Sequence, residues 1–91
     1  MTNTIVLQMP LFKRAYKKLH NKEKIYVNNA VKSLAKDPKI GEPKKVDLAG
    51  IFVHKFKIYN QLTLLAYTYT PKLLTLLAMG PHENFYRDLK K

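Results

Sequence analysis

The sequence predicts an α+β fold in which a helical hairpin packs on one face of a four-stranded, mainly antiparallel sheet. Two observations carry this prediction. The first half contains two segments with apolar residues at helical spacing, and the second half contains three β-rich apolar runs separated by short turn signals. An apolar run near the N-terminus supplies the fourth strand. We therefore expect the order β-α-α-β-β-β-α in a single domain spanning residues 1–91.

The first half begins with a strand over residues 4–9, where β-branched and apolar residues precede Pro10. From Leu11 onward the apolar residues follow an amphipathic stripe, which predicts the first helix. Asn21 is the expected N-cap of a second helix, and Glu23 suits its positive end. This helix should end at residues 37–38, because a proline disfavours helical geometry in the residue before it.

The second half begins with a loop over residues 39–45, which combines glycine, proline and charge and should be exposed. Three strands are predicted over residues 51–59, 62–70 and 73–79, with spacings that suit antiparallel hairpins. Gly80 and Pro81 should then form a turn into a short C-terminal helix, because proline suits the first turn of a helix.

Alternation along residues 51–59 divides this strand between two faces of the sheet. Phe52, His54, Phe56 and Ile58 share the predicted core face. Lys55 and Lys57 share the other face, which the helices should leave available for a ligand. Two readings of this lysine pair remain open: an ordinary solvated strand face, or a binding site for an anion. A lone histidine among apolar neighbours is expected to be a core or edge residue, and His20 is expected to interact with a helix dipole.

Charge is the strongest compositional signal. Seventeen Lys and Arg residues against six Asp and Glu residues give a net charge of +11. Nucleic acid, an acidic protein or anionic lipid are the candidate counterparts. The basic face of the first helix and the loop after the second could solvate the chain or bind a polyanion. The candidate nucleic-acid-binding residues are Lys13, Arg14, Lys17, Lys18, Lys44 and Lys45.

Several function classes are excluded or disfavoured by the sequence. The absence of cysteine removes disulfides, thiolate nucleophiles and cysteine-based zinc sites. No apolar run is long enough to span a membrane and no signal peptide is apparent, so we expect a soluble cytoplasmic protein without a membrane partner. No Walker loop, GxGxxG, Ser-His-Asp spacing, HExxH or EF-hand pattern occurs. With three scattered histidines and few carboxylates, neither a metal site nor a cofactor is expected.

The C-terminal stretch carries the candidate chemistry. On helical spacing, His82 and Tyr86 are i,i+4 neighbours, and Glu83 and Arg87 form a second such pair. A histidine has its ordinary pKa near neutrality and can act there as an acid or a base. This stretch can therefore be a catalytic site or only a helix cap.

The element order and the terminal Gly-x-His-x-x-x-aromatic pattern, here Gly80, His82 and Tyr86, resemble the RelE/ParE superfamily of toxin–antitoxin toxins. The resemblance covers nearly the whole chain, and the terminal pattern is similar to the YafQ- and YoeB-type mRNA interferases. It implies that His82 and Tyr86 act on mRNA in the ribosomal A site. Lys55 occupies a position where RelE has a catalytic lysine, while Val53 stands at the position of the other one.

The resemblance also has two departures. Many members have an arginine that opens the middle strand, whereas the run over residues 62–67 has none. Lys57 or Arg87 would have to replace this cation. The additional histidine and aspartate of the YafQ site have no clear counterparts.

The function implied by the resemblance is that of a metal-independent endoribonuclease that inhibits translation and growth. Its catalytic residues would be His82, Tyr86, Lys55, Lys57 and Arg87, and a cognate acidic antitoxin would neutralise it. Two alternatives remain: a ParE-like toxin directed at DNA gyrase, and a protein that binds or nicks DNA directly.

Overall fold

The computed structural model describes residues 4–44 and 50–81. The elements in chain order are β1 (Ile5–Gln8), α1 (Pro10–Lys17), α2 (Asn21–Lys36), a 3₁₀ turn (Pro38–Ile40), β2 (Glu42–Pro43), β3 (Phe52–Ile58), β4 (Gln61–Thr70) and β5 (Leu73–Pro81). The sheet order is β1-β5-β4-β3-β2, with β1 parallel to β5 and the other pairs antiparallel. The α+β prediction is confirmed with a correction, since the described sheet has five strands rather than four. The predicted C-terminal helix lies outside the described residues.

The two helices begin and end close to their predicted positions. Pro10 occupies the first turn of α1, and the Met9 carbonyl accepts a hydrogen bond from the Lys13 amide at 3.0 Å. The N-cap of α2 is His20 rather than Asn21, and the Glu23 carboxylate accepts the His20 backbone N–H at 2.8 Å. His20 therefore lies at the N-terminal end of α2, where its charged form would oppose the helix dipole instead of complementing it.

The main core lies between the helices and one face of the sheet. It is built from apolar side chains of α1, α2 and the three strands β3, β4 and β5, which are almost completely buried because each element contributes its apolar stripe. Its buried members are Phe12, Val27, Leu34, Ile58, Leu65, Tyr67, Leu74, Leu76 and Met79. Phe52 and Phe56 pack against this core, as the strand alternation predicted.

The opposite face of the sheet is not uniformly open, contrary to the prediction. Val53, Leu64, Ala66 and Ala78 form a second buried cluster there, with exposures of 9% or less. Strand alternation places Val53 on the face of Lys55 and Lys57, which the sequence predicts to be open, but its partner in β4 is Ala66, and the two side chains share this second cluster. Only part of this face is therefore available for a ligand.

The segment predicted as an exposed loop is anchored at Gly41. The Gly41 amide donates to the Tyr67 phenol oxygen at 3.0 Å, and this hydroxyl donates to the Pro38 carbonyl at 2.5 Å. Gly41 is buried, and a Cβ at this position would overlap the phenol oxygen. Burial raises the pKa of Tyr67, which keeps the hydroxyl protonated and able to donate.

Gly80 and Pro81 belong to β5 rather than to a turn before a helix. Gly80 lies opposite Leu64, and Pro81 lies opposite Thr63. Pro81 is tolerated here because it is the last residue of the strand. The strand thus extends two residues beyond its predicted end.

The turn between β3 and β4 has an unusual backbone. Ile58 pairs with Gln61, which leaves Tyr59 and Asn60 as a two-residue loop. Tyr59 has φ +56°, a left-handed conformation that side chains larger than glycine rarely adopt. The strain is about 1–2 kcal/mol relative to an ordinary φ. Glycine adopts a positive φ in a tight turn more readily than any other residue.

Candidate nucleic-acid interface

Lys55 and Lys57 project from β3 on the face opposite the helices. Both side chains are exposed, and their Cα atoms are about 7 Å apart because two extended residues separate them. Lys55 lies opposite Leu64 and Lys57 lies opposite Leu62. Two exposed cations thus stand on one face of the strand, close enough to contact one phosphate group together.

The Glu42 carboxylate is the anionic partner of this region. It lies 3.4 Å from the Lys44 ammonium group and 3.9 Å from the Lys55 ammonium group. Glu42 reaches this position because β2 pairs with β3, with Glu42 opposite Val53. Sequence reasoning missed this role. The available signal was a carboxylate within a lysine-rich segment.

The end of β5 lies in the same row of the sheet as the two lysines. Pro81 is opposite Thr63, and Thr63 is opposite Phe56, which lies between Lys55 and Lys57. Two strand spacings put the Pro81 backbone roughly 10 Å from β3. Since the side chains of this row face the helices, the backbone at the end of β5, rather than the Pro81 side chain, lies near the lysine pair.

A cavity of about 240 Å³ adjoins this end of β5 on the helix side. Lys18 and Glu23 line it from the helical hairpin, and Gln61, Thr63 and Pro81 line it from the sheet. Thr63 is the buried polar residue of the described core, and its hydroxyl donates to the Gln61 carbonyl at 3.4 Å. Lys18 therefore lies beside the end of β5, away from the other candidate basic residues of α1.

The other candidate cations of α1 form a separate surface. Lys13, Arg14 and Lys17 are exposed and line a cavity of about 420 Å³ together with Gln8 and Tyr16. Since α1 covers the helix-side core, these cations lie on the other layer from Lys55 and Lys57. The structure thus divides the predicted basic residues between two faces and does not join them in one site.

His54 has the role expected of an edge histidine. It is half-buried and its ring stacks on Phe56, with a centroid distance of 5.9 Å and an interplanar angle of 13°. Burial lowers the pKa of His54 from its ordinary value of 6.5, because the charged imidazolium loses solvation. The neutral form is therefore favoured in the folded protein.

His82, Tyr86, Arg87 and Lys45 lie outside the described residues, so their predicted roles remain predictions. Within residues 4–44 and 50–81, no group of three His, Cys, Asp or Glu side chains is arranged to hold a metal ion. None of the helices in the described part of the chain is long and apolar enough to cross a membrane.

The described surface is chemically suited to bind a phosphate chain. It offers lysines on a rigid strand and, on the other layer, a basic helix face. The three carboxylates among the described residues are already engaged: Glu23 with the His20 amide, Asp37 with the Lys39 amide and Glu42 with two lysines. The exposed cations of α1 and Lys57 thus have no carboxylate partner in the described part of the chain.

A model of the ParE-like toxin family of type II bacterial toxin–antitoxin systems matches residues 6–90. No curated protein matches the chain. Among solved structures, a chain of the RelBE2 toxin–antitoxin complex from Mycobacterium tuberculosis is 21% identical, with a TM-score of 0.73 over 90% of this chain and 100% of that chain.

Two further structures are similar over nearly their whole length. One is the YoeB dimer from Staphylococcus aureus, 19% identical, with a TM-score of 0.70 over 89% of this chain and 99% of that chain. The other is YafQ from E. coli, 16% identical, with a TM-score of 0.56 over 91% of this chain and 98% of that chain. At these identities the likeness establishes the fold. Since the family model spans almost the entire sequence as well, the chain is a toxin of the ParE-like family of type II toxin–antitoxin systems, with the fold of RelE, YoeB and YafQ.

Proposed function

We propose that this toxin is a metal-independent endoribonuclease that cleaves mRNA on the ribosome and thereby inhibits translation and growth. The observation that carries the proposal is the lysine pair of β3 in the same sheet row as the end of β5. The residue that follows β5 in the sequence is His82. A proton-transfer group and two cations can thus meet at one phosphodiester.

The proposed reaction is attack by a ribose 2′-hydroxyl on the adjacent phosphorus. The 2′ oxygen forms a bond to phosphorus while the bond to the 5′ oxygen breaks, which yields a 2′,3′-cyclic phosphate and a 5′-hydroxyl end. His82 accepts the proton of the 2′-hydroxyl or donates one to the leaving 5′ oxygen. Lys55, Lys57 and Arg87 stabilise the charge that grows on the phosphorane oxygens. Tyr86 stacks on an unpaired base near the scissile bond.

Binding of RNA would have to displace Glu42 from Lys55. The two groups are 3.9 Å apart and both are substantially exposed, with 49% of the Lys55 side chain accessible. An exposed pair of this kind contributes only about 0–1 kcal/mol. A phosphate can therefore replace the carboxylate at little energetic cost, and Lys55 changes partner between the free and bound states.

The run over residues 62–67 has no basic residue, so the additional positive charge must come from other residues. Its exposed member on the lysine face is Leu62, opposite Lys57, where an arginine would otherwise add a planar donor fork. We assign the missing positive charge to Lys57 and Arg87. Lysine binds phosphate as a point charge, so alignment of the substrate would come from the ribosome.

The second basic surface supports binding to a larger polyanion. Lys13, Arg14 and Lys17 line one cavity on the helix layer, and Lys18 lies beside the end of β5. Lys44 pairs with Glu42, and Lys45 follows it in the sequence. We propose that these residues contact ribosomal RNA while the β3 lysines contact the message. Such contacts would make binding strongly dependent on salt.

We also propose a cognate acidic antitoxin as the neutralising partner. A chain of charge +11 favours an acidic partner, and structures of RelB with RelE contain a toxin together with its antitoxin. The edge strand β1 offers a docking surface: Ile5, Val6 and Leu7 are 62%, 37% and 49% exposed. An extended acidic segment with apolar anchors fits this edge.

The direct test is expression of the toxin in a cell-free translation system, followed by mapping of RNA 5′ ends. We expect His82→Ala to lower cleavage by at least about 100-fold, as general acid–base residues contribute about 10²–10⁴-fold. Tyr86→Ala should also lower cleavage. His20→Asn is the matched control, because it removes an exposed imidazole and keeps a good N-cap residue. Undiminished cleavage by His82→Ala would contradict the assignment.

A gyrase-directed activity is the second candidate, favoured by the ParE-like family model. A gyrase supercoiling assay with the same protein distinguishes it from the ribonuclease, because inhibition of supercoiling requires no mRNA cleavage. A plasmid without gyrase then tests direct nicking of DNA. Growth arrest with intact mRNA and inhibited gyrase would favour this candidate over the ribonuclease.

A further inference from the structure

The strained turn between β3 and β4 presents an aromatic ring to solvent. Tyr59, which has the left-handed backbone, is 55% exposed. Tyr26, on the outer side of α2, is 39% exposed. The two rings meet edge to face, with centroids 5.4 Å apart and an interplanar angle of 64°. Neither phenol oxygen has a hydrogen-bond partner within residues 4–44 and 50–81. The pair thus holds two rings in a fixed geometry at the surface.

The backbone strain at Tyr59 makes this arrangement informative. Glycine or asparagine would occupy a left-handed turn position with less strain. An unfavourable conformation that the surrounding structure maintains is often associated with a functional site. The turn geometry alone would favour glycine at position 59, so we attribute the presence of tyrosine there to its exposed ring.

A cation lies beside the two rings on α2. Lys22 is one helical turn before Tyr26, on the same side of the helix, and is exposed. Each carboxylate of the described chain has a partner elsewhere, namely the His20 amide, the Lys39 amide, or Lys44 and Lys55. The patch combines π faces with positive charge, which suits a single-stranded nucleic acid better than an apolar or basic protein surface.

We propose that Tyr26 and Tyr59 form a stacking platform for unpaired RNA bases, separate from the proposed catalytic residues. One base stacks on the accessible face of the Tyr59 ring, while Tyr26 supports this ring from its side. Lys22 contacts a flanking phosphate. The proposal rests on RNA as the target of this toxin and adds a contact that holds the strand away from the scissile bond.

The test measures binding of purified toxin to a labelled single-stranded RNA of about 12 nucleotides, and to a duplex of the same length. Tyr59→Gly removes the ring and relieves the turn, and Tyr26→Ala introduces a good helix former. Each substitution should weaken single-strand binding about ten-fold and leave duplex binding unchanged. Tyr59→Phe, which keeps the ring, and Ile25→Ala, a change at an adjacent exposed apolar residue, should bind within about two-fold of the original chain.

Salt dependence provides a second readout. Because no charge is altered, the tyrosine variants should keep the slope of log affinity against log salt, whereas Lys22→Ala should reduce it by about one. Wild-type single-strand affinity in both ringless variants would overturn the proposal, as would an equal loss for single strand and duplex. Loss of antitoxin binding with unchanged RNA binding would instead identify a protein interface. Binding is measured without ribosomes, so failure of the His82 cleavage test leaves this result interpretable.

Discussion

Replacement of Tyr67 by phenylalanine tests which contacts hold the Glu42 carboxylate beside Lys55. The Tyr67 hydroxyl accepts the Gly41 amide at 3.0 Å and donates to the Pro38 carbonyl at 2.5 Å. These two contacts fix the segment immediately before β2, and Glu42 is the first residue of β2. The ring itself is fully buried and stacks on Phe52 with centroids 5.7 Å apart. Phenylalanine keeps this packing and removes only the hydrogen bonds.

The expected loss of stability follows from the groups left without partners. The buried Gly41 N–H loses its acceptor, which costs about 1–3 kcal/mol, and the Pro38 carbonyl loses a bond worth roughly 1 kcal/mol. Partial access of water to Pro38, which is only half-buried, reduces the second contribution. We therefore expect Tyr67→Phe to lower the free energy of unfolding by about 2 kcal/mol. For a domain of this size the Tm should fall by about 8–16 °C.

Urea denaturation and thermal unfolding measure this loss. Tyr69→Phe is the matched control, because the Tyr69 hydroxyl has no hydrogen bond among the described residues and should contribute less than about 0.5 kcal/mol. Gly41→Ala should destabilise the chain severely, since two ring carbons of Tyr67 would lie 2.8 Å from the added Cβ. Equal stabilities of Tyr67→Phe and Tyr69→Phe would refute the proposed anchor.

Three further predictions concern the charge, pH dependence and packing of the same scaffold. Glu42→Gln should raise affinity for single-stranded RNA about two- to five-fold by releasing Lys55, and unchanged binding in a fluorescence anisotropy titration would contradict the pairing. His54 has a lowered pKa in the folded state, so its contribution to stability is complete above pH 6.5 and declines as the pH falls through 6.5 towards the folded pKa. His54→Gln should therefore lose less stability than the original chain between pH 7 and pH 5 in urea titrations. Leu34→Ala removes a side chain with 0% exposure and should lower the free energy of unfolding by about 2–5 kcal/mol, whereas a loss below about 1 kcal/mol would contradict its place in the core.

The sequence predicted the elements whose pattern is local. Helix α2 has its apolar residues at helical spacing and ends beside Pro38, so its interior and its C-terminus followed from the chain itself. The hairpins of β3, β4 and β5 were likewise marked by two-residue turns, although the first turn is Tyr59–Asn60 and not residues 60–61 as predicted. The exposed pair Lys55 and Lys57 followed from alternation along one strand. These features depend on neighbours in sequence, which is the information that a pattern contains.

The missed features depend on contacts between distant residues. β2 has only two residues and exists because Glu42 and Pro43 pair with β3, while Tyr67 anchors Gly41 across 26 positions of the sequence. A glycine and a proline among charged residues predicted an exposed loop, but long-range pairing overrode this signal. Val53 was assigned to solvent for a similar reason, since alternation indicates which residues share a face but not whether that face is covered. The partner of Lys55 could not be identified without these contacts.

In the proposed ribonuclease, the absence of an arginine opposite Lys57 leaves alignment of the substrate to the ribosome and the placement of the two lysines to the backbone of β3. A guanidinium group aligns phosphate through a planar fork, whereas lysine offers a flexible point charge. In this chain β3 pairs with β4 along its whole length, and the buried side chains of Val53 and Ile58 hold it on both faces. The strand therefore fixes the separation of the two lysine Cα atoms, from which the flexible side chains extend. A toxin built in this way should depend strongly on contacts distant from the scissile phosphate, which is why the basic helix face and the tyrosine pair should affect substrate affinity more than the chemical step.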